Sequence, residues 1–175
     1  MDDVIASLEV IPNVDKTTIV LNQFPDLHRE RVFWRFATDG IPAVGTVDLE
    51  RGSVLLIRLD LAESMTLEDL FAMYGTPEFL SAIVNTGEAR WLALRLLWPS
   101  KGIAAGHVEV LLGAAGSPIK VSPRDAVGEV IYFRPEDYEQ LLDEKDLFNR
   151  DRSSIEDTIL PWQGFGVVPQ TEFRQ

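Results

Sequence analysis

The stretch RVFWRFATDGIPAVGTVDLERGSVLLIRLDL, residues 31–61, decides how this chain folds. From Arg31 to Thr38 it alternates, with Val32, Trp34 and Phe36 on one side and Phe33, Arg35 and Ala37 on the other, the two-residue period of a strand. Asp39-Gly40 is the strongest short hairpin signal in the chain, and it leads into a second strand over Ile41 to Leu49, with Pro42 placing that strand's start toward an edge. Arg51-Gly52 turns the chain again. Ser53 to Leu61 then sets Leu55, Ile57, Leu59 and Leu61 against Val54, Leu56, Arg58 and Asp60. The pattern predicts three consecutive antiparallel strands.

Upstream, Val4, Ile5, Leu8 and Ile11 recur at helical spacing behind Asp2 and Asp3, whose carboxylates suit the positive end of a helix dipole. Pro12-Asn13 ends that helix, and Val14 to Leu27 reads as an untyped connector in which Thr17 to Leu21 is compatible with a strand. Downstream, Thr66 caps a predicted helix, Asp69 completes a capping box and Met65 staples onto Leu70. Gly75 and Pro77 stop it. Phe79 to Val84 reads as extended, with a second helical turn as the alternative. Arg90 to Trp98 is apolar on both sides, as in a central strand. After the turn at Pro99 to Gly102, strands are predicted over Ile103 to Leu112 and Val127 to Phe133, separated by a loop from Gly113 to Asp125.

Helix, turn and three strands thus occur twice. The fold class that follows is α+β: a single domain, 1–175, of two tandem helix-plus-three-stranded meander units, 1–63 and 64–134, with a C-terminal helix and tail over 135–175. Pro135 opens the third helix, which carries Tyr138, Leu141, Leu142 and Phe148 inward. Asn149 to Asp157 reads as a polar, mobile stretch, and the bulky tail around Trp162 and Phe165 is expected to dock on the domain.

The segment Met65 to Pro77, a capped helix followed by Tyr74-Gly75-Thr76-Pro77 and a β meander with Trp91, resembles the helix-Gly-x-Pro-sheet unit of the outer-membrane assembly lipoprotein BamE/SmpA superfamily. The β-lactamase inhibitory protein joins two such units in tandem and binds its target on a concave sheet, so the resemblance implies a tandem binding module. Nearly the whole chain is also similar to uncharacterised Chloroflexi-type lipoproteins, through Ala6-Ser7-Leu8, Pro12 to Asp15, Leu67 to Phe79, Trp98 to Gly102, Ile131 to Pro135 and Trp162 to Phe165. That group carries an upstream lipoprotein signal, which implies a cell-envelope location where such a signal precedes the chain. It implies no activity and no functional residue.

Composition narrows the chemistry. With 46% apolar and 25% charged residues the chain is expected to fold. A net charge of −12 opposes non-specific attraction to nucleic acid or an anionic membrane, since both depend on clustered Lys and Arg. No apolar run is long enough for a transmembrane segment, and Met1 to Val4 lacks the basic and apolar regions of a secretory signal. Without cysteine there is no thiol nucleophile, zinc–thiolate site or disulfide. His28 and His107 show no metal-ligand spacing, the acidic runs lack the calcium-loop order, and neither a Gly-x-Ser-x-Gly elbow nor a phosphate-binding glycine loop is present. No catalytic, metal or cofactor residue is therefore assigned and no cofactor is expected.

Asp48, Asp60 and Glu109 fall in predicted strands, where they are expected to mark solvent faces. The remaining signal is aromatic residues with arginines, the types enriched in binding hot spots. Trp34, Arg35, Phe36, Arg58, Trp91, Arg95 and Trp98 are the candidate partner-binding residues. The leading expectation is a non-enzymatic interaction module that binds a protein or envelope component through a sheet face. A small carboxylate-dependent hydrolase with a groove between the units, and a self-associating structural domain, are the alternatives; composition does not fix the oligomeric state.

Overall fold

In the computed structural model, which describes residues 2–37, 44–85, 91–111, 120–143, 147–148, 155–167 and 171–173, helix α1 (Asp2–Val10) leads into four strands. These are β1 (Val14–Phe24), β2 (Arg29–Phe36), β3 (Val44–Glu50) and β4 (Ser53–Thr66). Helix α2 (Leu67–Tyr74) follows, then β5 (Phe79–Asn85), β6 (Trp91–Trp98), β7 (Ile103–Leu111), the two-residue β8 (Lys120–Val121) and β9 (Ala126–Phe133). The chain ends with α3 (Tyr138–Asp143) and short strands β10 (Ile159–Pro161), β11 (Gly166–Val167) and β12 (Thr171–Phe173).

Ten strands share one sheet in the order β1-β2-β3-β4-β9-β7-β6-β5-β10, with β12 also on β5, while β8 and β11 pair apart from it. The expected pair of helix-plus-three-strand units is corrected by this sheet. Val14–Phe24, read as a connector, is an eleven-residue strand on β2, and Phe79–Asn85 pairs with β6. Helices α1 and α2 are therefore each followed by four main-sheet strands. Antiparallel pairing of β4 with β9 joins both sets edge to edge. The boundary drawn at residue 63 falls inside β4.

Local chemistry explains the elements. Arg51 and Gly52 both take positive φ, 50° and 81°, making the two-residue turn that suits a twisted hairpin between β3 and β4. Thr66 and Asp69 form the capping box read from the sequence, and the Gly75 N–H closes α2 onto the Phe71 carbonyl at 2.8 Å. The turn at Asp39-Gly40 lies outside the described residues, as do Asn149 to Ser154 of the polar stretch. Docking of the tail is seen directly: β10 pairs with β5, and Trp162 packs on Phe71.

Register separates the two sheet faces. One row runs Trp34, Gly45, Leu59, Val130, Ala105, Leu96 and Leu80 from β2 across to β5. Both helices sit on this face, α1 through Leu8 and α2 through Leu67 and Leu70. Among the described residues the opposite face is covered over the second half of the sheet. There α3 and the chain after it bury Leu141, Leu142, Leu147 and Ile155 against Leu97, Ala104 and Ile131.

Candidate functional site

On the opposite face, β2 alternates Arg29, Arg31, Phe33 and Arg35 against Glu50, Asp48, Thr46 and Val44 of β3. Toward the sheet edge, β1 adds Val20 and Phe24, paired with Phe33 and Arg29 and 51% and 42% exposed. These apolar groups and arginines lie beyond the cover supplied by α3. Asp48, expected on a solvent face, is instead buried, and the Arg31 guanidinium holds it with two hydrogen bonds, Nε to Oδ1 and Nη2 to Oδ2, the latter at 2.8 Å. Arg31 also lies 5.9 Å from the Phe33 ring centroid. The pair keeps one arginine extended across two strands, and Arg35 stays exposed beside it.

Where this open surface meets the covered half, a charged network marks the border. Glu129 on β9 receives Arg58 from β4 at 2.9 Å and Arg95 from β6 at 3.0 Å. The Arg95 guanidinium can cross β7 because Gly106 has no side chain: a Cβ there would lie 3.2 Å from Nη2. Arg95 stacks over Phe148, and burial pulls its guanidinium down from its ordinary value, an effect the Glu129 carboxylate partly offsets. Asp60 sits opposite Glu129 in register, and desolvation followed by the Glu129 charge holds its carboxyl above the usual range, with Arg58 opposing. Asp60 is on the exposed side of the network, and Glu129 serves as counter-ion to two arginines.

The seven candidate residues divide between the faces. Trp34 and Trp98 are core residues, 4% and 0% exposed, and the Trp98 Nε1–H donates to the Gly75 carbonyl at 3.0 Å. Phe36 lies half-buried beside Trp34, 6.4 Å between ring centroids. These three belong to the helix-bearing face, so they are corrected from surface to packing residues. The physical reason is their even spacing on strands whose inward positions they occupy. The Trp91 side chain lies outside what the structure describes. Arg35, Arg58 and Arg95 do share the opposite face. The sequence reading did not single out Arg31 or Glu129 as members of this surface; the odd-numbered alternation of arginine and phenylalanine on β2 was the available signal for Arg31.

Concavities lie on both sides of the first half of the sheet. One of about 530 Å³ lies beside the turn that joins β1 to β2, among Phe24, His28, Arg29, Arg51 and Gly52. The other, of about 630 Å³, lies under α1 on the helix-bearing face. Among the described residues no cluster of three carboxylates or imidazoles is placed to hold a metal ion, and no helix is long and apolar enough to cross a membrane. Comparison of the chain with protein-family models, with curated proteins and with solved structures finds no match.

Proposed function

We propose that the chain is a non-enzymatic interaction module that binds a carboxylate-rich protein surface through the face of β1–β3 opposite the helices. The observation that carries this reading is the uneven covering of one sheet face. Its second half is sealed by α3 and the following chain, whereas among the described residues its first half presents Val20, Phe24, half-buried Phe33 and exposed Arg35. Aromatic rings flanked by arginine are the chemistry of interface hot spots, and guanidinium groups bind carboxylates in a fixed fork.

The test compares the intact chain with a Phe33→Ser/Arg35→Glu variant, each immobilised and exposed to extract of the native host, with retained proteins quantified by mass spectrometry and the leading partner titrated by calorimetry. A partner whose affinity falls at least about tenfold, or about 1.4 kcal/mol, supports the surface. Equal retention by both chains rejects it.

A second reading rests on the sheet edges. The β5 side is covered by β10 and β12, whereas β1 terminates the sheet at the other end. An outer strand with exposed Val20, Leu21 and Phe24 is the feature through which a second copy pairs, so self-association at β1 is the alternative. Sedimentation velocity over a hundredfold concentration range distinguishes it, a constant monomer value excluding the paired form.

A further inference from the structure

The C-terminal part of the chain changes character at Ile159. Before it, Leu141, Leu142, Leu147 and Ile155 are sealed in the core, and the Thr158 hydroxyl, equally buried, bonds that of Ser81 at 2.7 Å. After it, none of the residues from Ile159 to Gly166 is fully buried, and Phe165 is 41% exposed. The segment nevertheless has a definite seat. β10 pairs antiparallel with Phe79 to Ser81 on the edge of β5, and the Trp162 N–H donates to the Glu78 carbonyl at 3.1 Å. Trp162 and Phe165 then close on one ring of α2, their centroids 5.6 and 5.0 Å from that of Phe71. Gly164 makes the bend between them at φ 100°, a conformation that a side chain would oppose. Two residues, Gly166 and Val167, hold the far end on β8.

These contacts have the form of strand addition, in which backbone pairing along a sheet edge supplies affinity and side-chain seats supply selectivity. Here the edge is β5, the seat is the half-buried Phe71 ring, and the ligand is the chain itself. A strap held by a three-residue ladder and two partly exposed rings belongs to the low end of local stability, whereas the buried residues before it open with the core. When the strap lifts, Phe79 to Ser81 lose their β10 partner and the Glu78 carbonyl loses its donor. An extended segment from outside restores both. Residues 159–167, ILPWQGFGV, carry no charge, so the chemistry that fits this seat is apolar and aromatic.

We propose that the β5 edge and Phe71 form a peptide-recognition site that Ile159–Val167 occupies in cis. The partner that displaces the strap is an extended, uncharged segment with two aliphatic residues, then Trp, then an aromatic three residues further on. The site lies at the other end of the sheet from the β1–β3 surface and does not rest on that reading. The test uses the intact chain carrying Trp162→Ala/Phe165→Ala, which loosens the strap, and a fluorescein-labelled peptide of residues 159–167. The variant is expected to bind the peptide saturably and about tenfold more tightly than the parent chain, whose seat is filled. The same peptide carrying Trp162→Ala and Phe165→Ala should bind neither chain. Hydrogen exchange in the parent chain is independent of the variant's folding. There the Trp162 amide should exchange about tenfold or more faster than the Phe133 amide, which bonds the Gly102 carbonyl at 2.8 Å. No saturable binding to the variant, equal affinity of parent and variant, undiminished binding of the alanine peptide, or matched exchange of Trp162 and Phe133 would overturn the assignment. So would dimers of the parent chain that the double substitution abolishes, because the occupant would then be the tail of a second copy.

Discussion

The two helices rest on one face of one sheet, yet they are seated differently. Beneath α2, Leu67 and Leu70 are fully buried, and Phe71 makes ring contacts with Trp98, Trp162 and Phe165. Trp98 has its N–H satisfied by the Gly75 carbonyl at the end of the helix. Beneath α1, Leu8 is buried but Val10 is 80% exposed, and Trp34 lies beside an open concavity with its N–H unpartnered. The difference comes from third parties. Tail residues Trp162 and Phe165, together with Val121 and Val127, pack around α2. The described chain supplies no such cover at α1. A sheet face with two short helices leaves room at its middle, and only the second half fills it.

Removing the two indoles is the sharpest way to break this comparison. Trp98→Ala should cost about 4 kcal/mol in denaturant unfolding, the usual range for an aromatic cut from a closed core. Trp34→Ala should cost about 2 kcal/mol, because part of its surroundings is already space and no hydrogen bond is lost. Equal losses would show that the two seats are energetically alike. Next in size is Glu129→Gln, which leaves Arg95 buried beside Arg58 without its counter-charge and should cost about 3 kcal/mol. An unchanged midpoint would mean that the network at the border does not hold the halves together.

Glycine substitutions give a finer test. At Gly102 a Cβ would lie 2.0 Å from the Phe133 carbonyl oxygen in a residue with φ of 66°, so Gly102→Ala should cost about 3 kcal/mol. At Gly45 a Cβ would lie 2.1 Å from two carbons of the Trp34 ring. There the obstacle is a side chain bordering a concavity rather than backbone, so Gly45→Ala should cost less, about 1 kcal/mol. A Gly45 penalty as large as that at Gly102 would show Trp34 to be as firmly held as a backbone.

Smallest is the cap of α2. Thr66→Ala should cost about 1 kcal/mol at neutral pH. Hydrogen bonds from the Thr66 hydroxyl and backbone hold the Asp69 carboxyl below its usual range, so the folded state binds its proton less tightly than the unfolded chain. Its contribution is fully present above about pH 4 and is lost as pH falls through the lowered folded value. The stability gap between Thr66→Ala and the parent chain should therefore narrow on acidification below about pH 4, measured by thermal unfolding across that range.

Strands with strict alternation, such as Arg31 to Phe36 and Leu56 to Leu61, were legible because a half-buried strand writes its two faces into every second residue, whereas a bulge beside Leu55 reverses the expected faces of Val54 and Leu55. The capping box at Thr66 was legible because capping is local. β1 was not, since its register slips between Asp15 and Val20, where Thr17 and Thr18 bond locally to Asp15, and exposed Val20, Leu21 and Phe24 blur its pattern. Of the candidate residues, Arg35, Arg58 and Arg95 lie on the face opposite the helices while Trp34 and Trp98 lie in the core, because aromatic character is shared by cores and interfaces.

By itself the sequence determined the period of most strands, the start and stop of α2, the docking tendency of an aromatic tail and the absence of thiol chemistry, all properties of neighbouring residues or of composition. Tertiary structure alone decided that β4 pairs with β9 to make one sheet, that α3 with Leu147 and Ile155 covers one half of a face, and that Trp34 and Trp98 end in unlike surroundings. Those outcomes depend on contacts between residues far apart in the chain, whose partners no local pattern specifies.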